Sequence, residues 1–468
     1  MHSARPAQIE ALRSSALDTL IVGGGINGAG TLRDLAGRAG QAGAPLRFGL
    51  IEKNHFASGT SGKNSQLIHG GLRYLKYLNF GLVRESLRER STLLRIAPQY
   101  VRPLPFLLPM YGWKSRLIYG AGLSMYDLLS GGHSIQKHRV VSDSEVAGIE
   151  PGLNRAGLTA SAIFYDCRVH SARLVLANII DAMDRGALAV NYLKAEQWTR
   201  KGERWRIRVR DTLSQELFDI EARKVIDATG AWSGGASLRL VRGSHIIIPR
   251  VNASENAISY FERSGRIVFL IPWGTNHQLT LVGTTDVDHS TGPDRVRITQ
   301  EEVEYLLGIV QQVFPAKSQR DVISSYSSLR PLVGHGSNSP TSASRGHRIW
   351  NSAEGILHIA GGKYTTYRAM SEEAADLACR EIAPDLAASH WTEKIALPDP
   401  DEAREIELEQ RLSDHLFVST YLGYERRWDP EALRPYAESM AARLEWGGQR
   451  IEAELRDGMG EFSPVASV

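Results

Sequence analysis

The 468-residue sequence is poor in cysteine, in net charge and in long apolar runs. Its two cysteines form no C-x-x-C pair, which excludes a disulfide framework and a thiolate zinc site, and we predict no metal centre. The formal net charge is only +3, so the chain lacks the basic excess typical of nucleic-acid binding. No apolar run is long enough to span a bilayer, and residues 1–18 lack the apolar core of a secretory signal, so we expect a cytoplasmic protein.

Glycine, by contrast, is concentrated at the ends of short apolar runs. The run 17–22 leads into Gly23, Gly25 and Gly28, which have the spacing G-x-G-x-x-G, and a helical pattern follows. A second apolar run, 46–51, ends at Glu52. This βαβ order predicts a dinucleotide site, in which backbone N–H groups at the helix start bind the pyrophosphate and Glu52 accepts hydrogen bonds from ribose hydroxyls.

Further glycine turns favour FAD over NAD as the dinucleotide. A loop rich in Ser, Thr and Gly follows Glu52, one later strand ends in Ala-Thr-Gly at 228–230, and another ends in Gly-Gly at 361–362. Such turns converge on one nucleotide in two-domain flavoproteins. The predicted cofactor contacts are Gly23, Gly25, Ile26, Asn27, Gly28, Glu52, Lys53, Thr60, Ser61, Ser65, Gln66, Leu67, His69, Gly230, Gly362 and Thr365.

Longer motifs resemble the FAD-dependent glycerol-3-phosphate dehydrogenase family. They include LIHGGLRYL (67–75), GSHIIIPR (243–250), LVGTTDVD (281–288), YSSLRPL (326–332) and GGKYTTYR (361–368), and the resemblance extends over residues 17–385. It implies an α/β fold with a Rossmann-like FAD-binding domain, an inserted mixed-sheet substrate domain and a short C-terminal helical tail. We assign residues 1–240 and 345–390 to the first domain, with 79–160 flanking the active site, residues 241–344 to the second, and 395–468 to the tail.

The resemblance also implies a reaction and its residues. The reaction is oxidation of sn-glycerol 3-phosphate to dihydroxyacetone phosphate, with hydride transfer to flavin N5 and electrons passed to a quinone. Arg73, Arg330 and Lys363 stand at the family's phosphate- and substrate-binding positions. Tyr74 and Thr285 are expected to hydrogen-bond the substrate.

Oxidation of the alcohol requires a base for the C2 hydroxyl proton, and histidine has a suitable pKa. The resemblance places His245 on the substrate side of the flavin and makes it the first candidate, while His69 is the second. Lys363 has two alternative roles, in phosphate binding and in supporting negative charge on the reduced flavin. We therefore assign His245, Arg330 and Lys363 as the catalytic set.

The sequence leaves other properties open. The rival functions are an oxidase that passes electrons to O2, an amine or amino-acid oxidase of the same fold, and a non-catalytic flavin-binding protein. The aromatic and apolar segment 103–126, flanked by basic residues, predicts peripheral contact with the inner face of the cytoplasmic membrane. No motif for covalent flavin attachment is present, so we expect noncovalent FAD, and a homodimer is the working hypothesis for the assembly.

Overall fold

The fold is built from two large β-sheets that face each other across a deep cavity. The computed structural model describes residues 5–234, 238–262, 265–294, 296–317, 321–333 and 346–461. The polar loop at 337–344, and with it the predicted boundary between residues 344 and 345, lies outside the described residues.

The elements are numbered in chain order. The strands are β1 Leu17–Val22, β2 Phe48–Ile51, β3 Leu67–Ile68, β4 Val101–Tyr111, β5 Arg139–Val141, β6 Leu158–Val169, β7 Leu188–Val190, β8 Leu193–Lys201, β9 Arg204–Asp211, β10 Leu217–Asp227, β11 Leu238–Pro249, β12 Ala257–Phe261, β13 Ile267–Trp273, β14 Leu279–Gly283, β15 Val287–Asp288, β16 Ser324–Val333, β17 His347–Asn351 and β18 Leu357–Gly361. The α-helices are α1 Arg5–Ser14, α2 Ile26–Ala42, α3 Phe80–Ile96, α4 Trp113–Ser130, α5 Asp143–Ile149, α6 Ser171–Asp184, α7 Gln300–Val313, α8 Tyr367–Ile382, α9 Glu402–Glu407, α10 Leu412–Asp414, α11 Pro430–Leu444 and α12 Gly448–Glu461.

The first sheet has the order β17-β18-β10-β1-β2-β7, and the hairpin β8-β9 joins it through β10. Strands β18, β10, β1, β2 and β7 are mutually parallel, as buried apolar runs followed by glycine turns predict. The carboxyl ends of parallel strands lie at one edge of a sheet. The turns after β1, β2, β10 and β18 therefore meet, which confirms the predicted mixed α/β fold with a Rossmann-like half.

The second sheet is mixed and has the order β15-β11-β14-β13-β12-β4-β6-β3, with β16 paired to β11 and β5 to β6. It differs from the predicted inserted domain at 241–344, because β3, β4, β5 and β6 come from residues 67–169. The parallel pairing of β12 with β4 joins the two portions, through Ala257 with Phe106 and Ile258 with Leu107. The local pattern of apolar residues predicts where strands lie, but it does not show which distant strands pair with one another.

The segment 103–126, predicted to contact a membrane, divides into two parts of opposite character. Residues 101–111 form β4 in the interior of the second sheet, and Phe106, Leu107 and Leu108 are buried. The prediction of a surface contact is therefore wrong for this part, because strand pairing on both sides covers it. Helix α4 instead exposes Trp113, Leu117, Ile118 and Leu128 by 63–72%. No helix among the residues with described structure is long and apolar enough to cross a bilayer.

The C-terminal tail is helical, as expected, but it is not a separate appendage. Tyr421 donates a hydrogen bond to the carbonyl oxygen of Gly62 (2.8 Å) and stacks on His170 at 4.2 Å between ring centroids. Ser324 of β16 donates to the carbonyl oxygen of Tyr424 (2.6 Å). The tail thus packs on the same walls that enclose the cavity.

Candidate active site

A cavity of about 1350 Å³ lies between the two sheets and collects most of the predicted site residues. Pockets for single small ligands usually have volumes of about 300–1,000 Å³, so this cavity has room for a dinucleotide and a small substrate. Most of the predicted cofactor residues line it, namely Gly23, Gly25, Ile26, Asn27, Glu52, Lys53, Thr60, Ser61, Ser65, Leu67, His69, Gly230, Gly362 and Thr365.

The glycine turn between β1 and α2 has the geometry that the spacing predicts. A Cβ atom at Gly28 would overlap the carbonyl oxygen of Gly23, so only glycine allows the helix to pack this closely on the strand end. Gly28 itself does not line the cavity; Gly23, Gly25 and Asn27 do. The N-cap residue of α2 is Gly25, which has no side chain to cap the helix; the N–H of Ile26 donates to Ser61, and the N-terminus of the helix suits an anionic ligand. These features fit the diphosphate of FAD.

Glu52 lies at the end of β2, where the sequence predicts a ribose-binding carboxylate. Its Oε2 accepts a hydrogen bond from the N–H of Gly24 (2.7 Å) and its Oε1 accepts one from the N–H of Asn54 (2.9 Å). Burial raises the pKa of Glu52, and these backbone hydrogen bonds act against the rise. Each carboxylate oxygen retains a second lone pair, which can accept a ribose hydroxyl.

The loop 57–66 crosses from the first sheet to the second and divides its polar side chains between cavity and scaffold. Ser61 accepts a hydrogen bond from the N–H of Ile26 (2.9 Å), and Thr60 donates to the carbonyl oxygen of Leu329 (2.6 Å). Gln66 was predicted to contact the cofactor, but it does not line the cavity. It is buried, and its amide binds Gly62 and Ser171, so it supports the loop from behind.

His245 lies on β11, and its imidazole is almost fully buried at the cavity wall. Its Nε2 is 2.9 Å from Ser65 Oγ, whereas its Nδ1 has no hydrogen-bond partner among the described residues. The ring stacks on Tyr326 at 5.0 Å between centroids. Burial, and secondarily the positive charge of Arg330, lower the pKa of His245 to about 3. The imidazole is therefore neutral at pH 7 and has a lone pair available.

His69, the second candidate base, is tied to a different partner. Its backbone N–H donates to Thr365 Oγ1 (3.2 Å), and the Thr365 hydroxyl also lies 3.3 Å from the His69 carbonyl oxygen. This reciprocal contact joins the end of β3 at Ile68 to the turn that follows β18. His69 also lines the cavity.

Arg73 and Arg330 come from distant motifs and converge on Asp286. The Arg330 guanidinium lies 3.1 Å from Asp286 Oδ1, and the Arg73 guanidinium lies 3.7 Å from Oδ2. Arg330 also donates to the carbonyl oxygen of Thr285 (3.1 Å) and to Thr284 Oγ1 (2.7 Å). Because both arginines line the cavity and their carboxylate partner is buried behind them, the guanidinium groups are held in place before a ligand arrives.

Lys363 completes the cationic cluster from the opposite wall. Its Nζ lies 4.0 Å from the centroid of the Tyr74 ring and donates to Ser86 Oγ at 3.0 Å. The Arg73 guanidinium lies 5.0 Å from the same ring. The three cations and Asp286 leave two formal positive charges, which equals the charge of a phosphate dianion with opposite sign.

Thr285, predicted to bind substrate, faces away from the main cavity. It is buried, and its hydroxyl donates to Glu302 Oε1 (2.6 Å) and accepts from the N–H of Ser244 (2.9 Å). The preceding residue, Thr284, lines the cavity and contacts Arg330. Adjacent residues of an extended segment point to opposite sides, so an error of one position reverses the direction.

Sequence reasoning also missed residues that hold the site together. Asp286 and Ser86 position the cations, yet an isolated acidic or hydroxyl residue carries no signal of that role. Gly243 did carry such a signal, because it is a glycine two residues before His245 in an otherwise apolar strand pattern. A Cβ atom at Gly243 would overlap the guanidinium of Arg330, so this glycine provides the space for it.

Comparison with known proteins agrees with this geometry. Residues 18–377 match the family described as FAD dependent oxidoreductase. The chain is 34% identical over 404 residues to glycerol-3-phosphate dehydrogenase 2 of Mycobacterium bovis, covering 83% of this chain and 67% of that protein. It is 36% identical over 398 residues to glycerol-3-phosphate dehydrogenase of Synechocystis, covering 78% and 70%. The solved glycerol-3-phosphate dehydrogenase of Bacillus halodurans, complexed with FAD, superposes with a TM-score of 0.78 at 23% identity over the whole of both chains.

Proposed function

The chain belongs to the FAD-dependent oxidoreductases, and within them to the glycerol-3-phosphate dehydrogenases; from this premise we propose that it oxidises sn-glycerol 3-phosphate to dihydroxyacetone phosphate. The single observation that supports this choice of substrate is the cationic cluster of Arg73, Arg330 and Lys363 around Tyr74 and Asp286. A phosphate dianion requires fixed cations, and an arginine fork binds two of its oxygens at once. A substrate without phosphate leaves this cluster uncompensated.

The residues predicted to hold FAD fit their task. The N-terminus of α2 and the turn at Gly23 suit the diphosphate, Glu52 suits a ribose, and the walls carrying His245 and Lys363 suit the flavin end of the cavity. FAD, when bound, accepts the hydride that leaves C2 of the substrate. The protein's own residues bind the phosphate, orient the C2–H bond and take the hydroxyl proton.

His245 is the proposed base, and Nε2 is the atom that takes the proton. Nε2 contacts Ser65 at the cavity wall, whereas Nδ1 is buried and has no hydrogen-bond partner in the part of the chain that the structure describes. For Nε2 to act as the base, the neutral ring must carry its hydrogen on Nδ1 and its lone pair on Nε2, with Ser65 as a hydrogen-bond donor. Burial is the main cause of the lowered pKa of His245, and the positive charge of Arg330 is the second; a phosphate dianion at Arg330 offsets this second contribution, so substrate binding strengthens the base. The C2 hydroxyl proton moves to Nε2 as the C–H bond breaks.

We further propose that the electrons pass to a membrane quinone. The support is the apolar surface of α4, where Trp113, Leu117 and Ile118 are exposed and Lys114 and Arg116 stand beside them. Such a surface suits contact with lipid headgroups and the adjoining acyl chains. Release of hydrogen peroxide at the rate of substrate oxidation, without quinone reduction, would instead identify an oxidase.

The substrate is tested by anaerobic reduction of the bound flavin, followed as loss of its visible absorbance. Glycerol 3-phosphate should bleach the flavin, whereas glycerol and N-methyl amino acids at the same concentration should leave it oxidised. Glycerol is the matched control, since it differs only in the phosphate. Bleaching by an amine with none by glycerol 3-phosphate would assign the chain to the amine oxidases.

A further inference from the structure

The tail after residue 400 is an unexpected part of the cofactor cavity wall. The family match ends at residue 377, so nothing in that match extends to the tail. Nevertheless, five tail residues line the cavity that the glycine turn and Glu52 also line, namely Arg411, Ser413, Asp414, Phe417 and Val418.

Asp414 anchors this segment to the first sheet. It is buried, and its Oδ1 accepts a hydrogen bond from the Tyr192 hydroxyl at 2.6 Å. Its Oδ2 accepts from the N–H groups of Gln410 (2.9 Å) and Arg411 (3.0 Å), which fixes the backbone on either side. Asn191 adds a contact, donating to the carbonyl oxygen of Leu408 at 2.6 Å. The segment is therefore held in one position.

The anchor lies at the Glu52 end of the cavity. The N–H of Leu193 donates to the carbonyl oxygen of Glu52 (2.8 Å), and the N–H of Tyr192 donates to that of Asn54 (3.1 Å). Tyr192 thus joins the tail directly to the strand end that carries the ribose-binding carboxylate. His245 on β11 and Arg330 on β16 belong instead to the second sheet, at the substrate end.

Arg411 has a side chain suited to an adenosine ligand at this position. Its guanidinium lies 5.5 Å from the centroid of the Tyr192 ring, and its ion pair with Asp457 is long, at 3.9 Å. Its Nε is buried and makes no hydrogen bond to any residue that the structure describes. A planar guanidinium stacks on aromatic rings and donates to ring nitrogens, which adenine offers as acceptors.

We propose that residues 411–414 complete the subsite for the adenosine portion of FAD, with Arg411 in contact with that portion. The tail then acts in cofactor retention, which is independent of the substrate that the enzyme oxidises. Loss of Arg411 should weaken the binding of every ligand that contains the adenosine group and leave the binding of ligands without it unchanged.

The test compares Arg411→Ala with the wild-type full-length chain, each freed of FAD. Flavin fluorescence measures the binding of FAD and FMN, and titration calorimetry measures the binding of ADP. Affinities for FAD and for ADP should both fall about tenfold, the loss expected for one hydrogen bond to a charged group. Affinity for FMN, which lacks adenosine, should be unchanged. The matched control is Arg434→Ala, which breaks a tail ion pair with Glu452 (2.9 Å) away from the cavity lining and should alter none of the three.

Two results would overturn the inference. Unchanged affinities for FAD and ADP in Arg411→Ala would remove the tail from the subsite. An equal loss for FMN would indicate a general disturbance of the cavity. Arg411 is one-third exposed, so the variant is expected to fold, and an unchanged melting temperature checks this. Because the readout is binding, failure of the proposed substrate leaves this test intact.

Discussion

Replacing Arg330 with alanine should weaken the use of glycerol 3-phosphate without releasing FAD. Arg330 donates to Thr285 and Thr284 and pairs with Asp286, so its guanidinium is oriented before a ligand binds. Arg330 lies on β16 of the second sheet, whereas the glycine turn at Gly23 follows β1 of the first sheet. The substitution should therefore remove one member of the proposed phosphate site and leave the proposed diphosphate site intact.

The size of the effect follows from the surroundings of the guanidinium. Truncating one partner of a buried, hydrogen-bonded charge pair costs about 2–5 kcal/mol. The Arg330 side chain is 21% exposed, and Arg73 and Lys363 remain in the cavity, so the lower part of that range applies. About 2–3 kcal/mol corresponds to a decrease of roughly 30- to 150-fold in kcat/KM.

The assay is anaerobic flavin reduction over a range of substrate concentrations, with FAD content measured by absorbance after denaturation. Arg330→Lys, which keeps the charge but loses the fork, should recover part of the activity. Arg239→Ala is the matched control, because Arg239 pairs with Asp288 at 2.6 Å on the same sheet but outside the cavity lining. An unchanged kcat/KM in Arg330→Ala, or a loss of FAD, would refute the assignment of Arg330 to the phosphate site.

Three further predictions concern the base, the turn at 284–285 and the buried histidines. His245→Asn should slow flavin reduction by about 10²- to 10⁴-fold with FAD retained, and a larger loss in His69→Asn would transfer the role to His69. Thr284→Val should raise KM. Thr285→Val should lower the free energy of unfolding by about 1–3 kcal/mol, because Ser244 and Glu302 lose a buried partner. A raised KM in Thr285→Val and a lowered free energy of unfolding in urea for Thr284→Val would contradict the structure. His170 and His245 both have a folded-state pKa of about 3, lowered chiefly by burial, so only the unfolded chain binds these protons between pH 6.5 and 3. The free energy of unfolding should fall with acidification in that range, by about 2 kcal/mol for each histidine at pH 5. A His170→Phe variant whose unfolding in urea has the same pH dependence as the wild type would exclude His170 as a source of this effect.

Much of the FAD site could be predicted from the sequence because its signals are local. The turn at Gly23–Gly28 requires glycine for steric reasons that hold in any chain, and the strand, helix and second strand around it follow one another directly. The turns at 228–230 and 361–362 are of the same kind. Parallel strands place their carboxyl ends at one edge, so these separate turns also meet for a general reason.

The polar site was predicted less completely, since its members are joined by contacts between distant segments. Asp286 is the case in point, because its carboxylate holds Arg73 and Arg330 together although neither arginine is near it in sequence. Gln66 and Thr285 have the residue types of a binding site, yet their polar groups are used by the scaffold. Residue type gives the chemistry available, whereas direction and partner depend on packing.

The sequence by itself therefore determined the nucleotide-binding half, the small net charge and the residue types from which a phosphate site can be made. The tertiary structure decided which cations share a carboxylate, which threonine faces the cavity, and that 101–111 is a buried strand while α4 is exposed. It also decided that the tail is a wall of the cofactor cavity. The physical reason is that backbone turns are set by neighbours in the chain, whereas burial and charge pairing are set by neighbours in space.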